Sequence, residues 1–207
     1  MKIVAINGSH RKGRNTADLL KVVLEEAATL GASTELLELK DLNIKLCTAC
    51  SKCMRKPECS IMNDDMGFVA EKLLEADGIL IGSPVYWYNV TTLMKNFMDR
   101  TRYLHMTQNL LANKVGGAVT IAGLRYGGQD VALRIMEFFL QAHGLHLVDS
   151  RHPESLIRSH GVSGTLMEDF KDGKPIWRNS IHEDELIVAS CKQLGRNMVK
   201  LVELLHK

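Results

Sequence analysis

The chain has 207 residues, of which 45% are hydrophobic and 24% charged, with a formal net charge of +2. That is the composition of a soluble globular domain spanning residues 1–207; it excludes a disordered polar chain, and so small a charge excess implies no nucleic-acid partner. No apolar run reaches the length of a membrane span, and Met1-Lys2-Ile3-Val4-Ala5-Ile6-Asn7 passes too quickly into Gly8 and charged residues for a signal peptide. The expected location is the cytoplasm, where thiols stay reduced.

Residues 2–7 form a nearly continuous apolar run around Ile3, Val4 and Ile6, the pattern of a strand buried on both faces of a parallel sheet. From Asn15 or Thr16 a helical period carries Leu19, Leu20, Val23, Leu24 and Ala27, and Gly31 closes it. A second strand is expected at 34–39, followed by a cysteine-rich loop at 41–63. Asp64-Asp65 read as capping residues of a helix that carries Val69, Leu73 and Leu74 to Ala76. Residues 78–82 are a third strand, and a helix runs from Thr91 through Met94 and Phe97 toward Leu104. A fourth strand at 115–122, a helix after Gly127-Gly128 and a fifth strand at 145–149 follow. Residues 150–181 show little periodicity, and a structureless segment this long is expected to serve function or a subunit contact. The last helix covers 183–206 and carries Cys191, read as a free buried thiol. The eight histidines read as surface or packing residues. Strands alternating with helices predict an α/β fold, a doubly wound five-stranded parallel sheet in the flavodoxin-like order 2-1-3-4-5.

Four of the five cysteines, Cys47, Cys50, Cys53 and Cys59, fall within thirteen residues. A structural zinc site takes two pairs separated by a dozen or more residues, and here no second pair exists. Thiolates spaced this closely suit a [4Fe–4S] cluster, with one iron for each sulfur. Zinc is the rival reading, which would leave a non-enzymatic zinc-bearing scaffold. In the proposed strand order the loop borders the first strand-to-helix loop.

Ligands of such sheets bind beyond the carboxyl ends of the strands, near the reversal of strand order. The loop after the first strand joins a helix amino end, where Ser9, Arg11, Asn15 and Thr16 offer hydroxyl, amide and guanidinium donors. It lacks the Lys-Ser/Thr of a nucleotide-triphosphatase loop and the glycines of a dinucleotide loop, and a monophosphate such as that of FMN fits it. After the third strand, Pro84, Val85, Tyr86, Trp87 and Asn89 offer a grip for a flat heterocycle. After the fourth, Gly123, Gly127 and Gly128 let backbone amides approach a ring.

Gly8-Ser9, Asn15-Thr16, Ser83-Pro84-Val85-Tyr86-Trp87, Lys95 with Asp99-Arg100, and Gly127-Gly128-Gln129 resemble the NAD(P)H-dependent FMN reductase group of flavodoxin-like proteins. With the cysteine run between the second strand and the second helix, the chain resembles more narrowly the iron–sulfur flavoproteins. That resemblance implies FMN, one [4Fe–4S] cluster, a homodimer or homotetramer, and electron transfer with ferredoxin as donor. The alternative is an NAD(P)H-dependent FMN or quinone reductase with an accessory cluster. Either way no catalytic acid, base or nucleophile is expected, because the cofactors carry the electron chemistry.

Overall fold

A computed structural model describes residues 1–154 and 161–206. Strands β1 (Lys2–Asn7), β2 (Ser33–Glu38), β3 (Gly78–Pro84), β4 (Val115–Ala122) and β5 (His146–Leu147) lie parallel in the order β2-β1-β3-β4-β5. This is the doubly wound order that the sequence predicts. Every residue of β3 and β4 is buried, which explains why both read as apolar runs rather than alternations. Helices α1 (Asn15–Thr29) and α5 (Glu185–Leu205) pack into one core, and α2 (Met66–Glu75), α3 (Thr92–Arg100) and α4 (Gln129–Ala142) into the core on the other face. α1 and α5 approach so closely that a Cβ on Gly195 would lie 2.6 Å from the Val23 carbonyl oxygen. On α5, Cys191 is free and fully buried as expected, and burial pushes its thiol up to about 12.

The fifth strand departs from expectation. β5 has two residues rather than the five of 145–149, and pairs only with the start of β4. A further strand, β6 (Val162–Thr165), takes the same side of β4 opposite Val119–Ala122. The fifth position is therefore split between two short strands. Residues 150–181, expected to be irregular, also hold a hairpin of β7 (Met167–Lys171) and β8 (Lys174–Trp177), while 155–160 lie outside the described residues. The turn is Asp172-Gly173, both at positive φ (50° and 74°), as a tight hairpin demands. Strands of four or five residues carry too few alternations to show a period, and the largely exposed hairpin has no apolar face to reveal it.

Asp64 and Asp65 do less capping than expected. Asp65 precedes α2 without a side-chain cap and instead accepts from the Asn43 amide at 2.6 Å. Asp64 accepts from the Met66 amide at 3.1 Å, and its main partner is Arg100, in an ion pair whose side chains are each 1% exposed. α3 ends at that arginine, and a tighter helical turn continues through Thr101–Leu104.

His143 closes α4 and is buried, with Nε2 3.0 Å from Thr101 Oγ1 and its ring edge-on to Phe139. Burial first, then the neighbouring His105, pushes it down to about 4. The unfolded chain takes up this proton near pH 6.5, the folded chain only near 4, so the unfolded state binds more protons between those values. The stabilisation is complete above about pH 6.5 and is lost as pH falls toward 4, a difference of about 3 kcal/mol. Thermal unfolding followed from pH 7 to 4 is expected to show a shallower decline for His143→Gln than for the wild type. Parallel slopes would assign the acid limb to other groups.

Candidate functional site

Three loops leave the carboxyl ends of β1, β3 and β4 side by side. The Gly8 amide donates to Gly82 O at 2.8 Å, and the buried Thr91 hydroxyl donates to Gly8 O at 2.5 Å while accepting from the Met94 amide at 3.2 Å. One side chain therefore caps α3 and fixes it to the first loop. In that loop Ser9 is buried, its amide donating to Asn7 Oδ1 at 3.0 Å and its hydroxyl accepting from the Arg11 amide at 3.1 Å. Arg11, Lys12 and Arg14 are exposed, with Lys12 paired to Asp41. α1 starts at half-buried Asn15 and buried Thr16, and no side chain caps it. Its first-turn amides and positive dipole end suit an anion.

His10 links this loop to the next, its ring stacked on Tyr86 with centroids 5.7 Å apart and 9° between planes. Its Nδ1 is buried without a partner. No local pattern marks this pairing, because residues 10 and 86 meet only through the order of the strands.

Pro84 is buried at the end of β3, and the amide of half-buried Val85 donates to Ile121 O at 2.9 Å. Tyr86 and Asn89 then exchange backbone bonds of 2.9 and 3.0 Å. Between them Trp87 and Tyr88 sit at φ of 51° and 58°, a two-residue turn of the kind usually made by Asn-Gly. Trp87 is 98% exposed. The third loop meets this turn directly. A Cβ on Gly128, at φ 93°, would fall 2.6 Å from the Tyr88 ring. Buried Gln129 shapes that loop, accepting from the Gly127 amide at 2.8 Å and donating to Leu124 O at 2.7 Å.

Ser9, Arg11, Asn15, Thr16, Pro84, Val85, Tyr86, Trp87, Asn89, Gly123, Gly127 and Gly128 thus all lie on three adjoining loops, or on the strand and helix ends that border them, at one edge of the sheet. The β7–β8 hairpin, not expected there, closes the outer side. Met167 donates its amide to Gly123 O at 2.9 Å, and the Trp177 ring lies 3.7 Å from where a Gly123 Cβ would be.

The cysteine loop takes a different course from the one expected. Its first residues border the first loop through Asp41, and the chain then follows α3: Ile44 O accepts from Asn96 Nδ2 at 2.8 Å and Lys45 O from Arg100 Nη1 at 2.7 Å. The cysteines therefore gather at the carboxyl end of α3, about 14 Å along a nine-residue helix from the strand-end loops. Cys47, Cys50, Cys53 and Cys59 all line one small concavity, which Asp99, Arg100, Arg102 and Tyr103 also line. Ala49 and Ser51, at φ of 53° and 60°, turn the chain sharply on either side of Cys50. Ser60 Oγ lies 2.9 Å from Cys50 Sγ, and this bond, with the Lys52 backbone, holds the Cys50 thiol below its ordinary range. Arg100 Nη2 lies 3.6 Å from Cys59 Sγ. Among the described residues no three His, Cys, Asp or Glu side chains stand close enough to share one metal ion. No helix among them is long and apolar enough to cross a membrane.

Residues 1–154 match the family model of NADPH-dependent FMN reductases. An iron–sulfur flavoprotein of Archaeoglobus fulgidus is 39% identical over 98% of this chain and 96% of its own length. Another, from Methanocaldococcus jannaschii, is 33% identical over 100% of both. The solved structure of RosB with bound 8-demethyl-8-formylriboflavin-5′-phosphate superposes with a TM-score of 0.75 at 15% identity, covering 100% of this chain and 80% of that one. An apo NADH:FMN oxidoreductase superposes at 0.63 with 18% identity, covering 98% and 89%. At such identities the solved structures speak for the fold alone. Fold and family together define a flavodoxin-like oxidoreductase of the FMN-reductase type. The chain belongs to the NADPH-dependent FMN reductase superfamily, among its iron–sulfur flavoproteins.

Proposed function

We propose that the protein is an FMN-dependent oxidoreductase of the NAD(P)H-dependent FMN or quinone reductase type, with an accessory [4Fe–4S] cluster held by Cys47, Cys50, Cys53 and Cys59. The observation that carries this reading is the convergence on one sheet edge of an uncapped helix amino end and an exposed aromatic turn. When bound, FMN supplies one- and two-electron chemistry and a cluster supplies one-electron chemistry; the chain contributes placement. Ser9, Arg11, Asn15 and Thr16 would hold the phosphate, with the unpartnered His10 Nδ1 close by. Pro84, Val85, Tyr86, Trp87 and Asn89 would form one wall for the ring, and the backbone at Gly123, Gly127 and Gly128 another. Four thiols lining one concavity, with the Cys50 thiol held below its ordinary range and a guanidinium at Cys59, fit the donor set of a cluster.

A second reading, an electron carrier reduced by ferredoxin, is favoured by charge. Exposed Lys45, Lys52, Arg55, Lys56 and Arg102 lie on and around the cysteine loop, against Glu58 and Asp99, and suit an acidic redox partner.

Protein purified without oxygen is expected to contain about four irons and four sulfides per chain, and NADH or NADPH is expected to reduce its flavin at least as fast as reduced ferredoxin does. Stoichiometric zinc without labile sulfide would return the loop to the zinc scaffold, and reduction by ferredoxin alone would promote the second reading.

Thr16→Ala is expected to weaken FMN roughly ten- to a hundredfold, the cost of losing a donor to a charged acceptor, and riboflavin far less. Titrations showing equal losses for the two flavins would remove the phosphate from this loop.

The separation of about 14 Å along α3 also favours a homodimer or homotetramer. A symmetric partner brings its own cysteine loop to the exposed Trp87 turn more readily than the same chain can. Sedimentation at micromolar concentration is expected to show an oligomer, and a persistent monomer would confine electron transfer to one chain.

A further inference from the structure

We propose that Arg100 and Asp64 form a buried dipole whose cationic end sets the reduction potential at the cysteine loop, a role that rests on reading the loop as the seat of a [4Fe–4S] cluster. Both side chains are 1% exposed. The guanidinium spans the loop: Nη1 donates to Lys45 O at 2.7 Å and to Asp64, while Nη2 contacts Cys59 Sγ at 3.6 Å, Ile61 O at 3.2 Å and Asp64 Oδ1 at 3.3 Å. One planar fork thus joins the segment before Cys47 to the segment after Cys59.

Asp64 is held in turn by the amides of Lys45 at 3.0 Å and Met66 at 3.1 Å. Burial opposes its charge, but Arg100 and these amides keep the carboxyl below its ordinary range, so the pair is ionised. Arg100 lines the cysteine concavity and Asp64 does not, which orients the pair with its positive end toward the sulfurs.

Stability alone is a weak reason for such a pair, because replacing a buried ion pair with apolar residues is often neutral or stabilising. A fixed charge in a low-dielectric wall, however, acts on a neighbouring redox centre with little screening. Net charge and hydrogen bonds to sulfur are among the levers that set cluster potentials, and Arg100 supplies both at Cys59. Reduction of a cluster held there would add one electron, supplied by the flavin or by reduced ferredoxin, and no proton. A nearby cation favours that added electron; a nearby carboxylate opposes it.

The test uses the holoprotein and the variants Arg100→Gln, Arg100→Lys and Asp64→Asn, with cluster midpoint potentials from anaerobic titration followed by electron paramagnetic resonance. Arg100→Gln is expected to make reduction harder and Asp64→Asn easier, each by about tenfold in the one-electron equilibrium, or about 59 mV in opposite directions. Arg100→Lys is expected to fall between wild type and Arg100→Gln. Shifts of the same sign for Arg100→Gln and Asp64→Asn, or no shift, would overturn the proposal, since a merely structural role moves both the same way. Should Arg100→Gln lose its iron, Arg100→Lys and Asp64→Asn carry the same comparison. Backbone hydrogen exchange across residues 45–64, measured on the full chain with and without iron, is expected to show faster exchange in Arg100→Gln in both states. Wild-type protein without iron and sulfide would remove the cluster reading and the potential with it, and the exchange data would then report the clamp alone.

Discussion

The hydroxyl of Thr91 is the contact on which both ends of the molecule depend. It is buried, donates to the carbonyl of Gly8, and accepts from the Met94 amide in the first turn of α3. The Thr91 amide donates to Ser83 Oγ at 3.1 Å, and Thr120 Oγ1 donates to Ser83 O at 2.8 Å, so three buried hydroxyl residues bind the ends of β1, β3 and β4 into one polar seam. An unpaired buried donor costs about 1–3 kcal/mol, which makes each member of the seam dependent on the others. The start of α3 therefore has one position, and the position of Arg100 nine residues later follows from it.

Two sites of opposite character share that helix. Its amino end meets a surface of aromatic rings, glycine backbone and uncapped amides, suited to a flat anionic ligand. Its carboxyl end meets thiols and a guanidinium in a small concavity. The helix is packed into the core through Met94, Phe97 and Met98, so one buried element positions both surfaces.

Most of the fold was legible in the sequence because its strongest signals are the ones that burial imposes. β1, β3 and β4 are covered on both faces and so appear as uninterrupted apolar runs, and the helices between them show their period plainly. The cysteines were legible for a different reason, since their spacing is itself the chemistry. What escaped depends on contacts between distant residues. Trp177 reaches the strand-end loops only because β6 lies beside β4, and His10 meets Tyr86 only because β1 lies beside β3. Asp64 looks like a helix cap in any window of a dozen residues; its true partner is thirty-six positions away. Asp172-Gly173 is the exception, a hairpin signal readable on its own that the low periodicity around it concealed.

The turn at Trp87-Tyr88 is conformationally expensive, with two adjacent non-glycine residues at positive φ, a pairing found nowhere else among the described residues. Each residue holds a left-handed backbone that a non-glycine side chain adopts at a cost of roughly 1–2 kcal/mol, while Asn-Gly makes the same turn with little strain. Selection for thermal stability alone would erase the two rings at this position. A redesign that optimised backbone energy alone would replace this aromatic tip first.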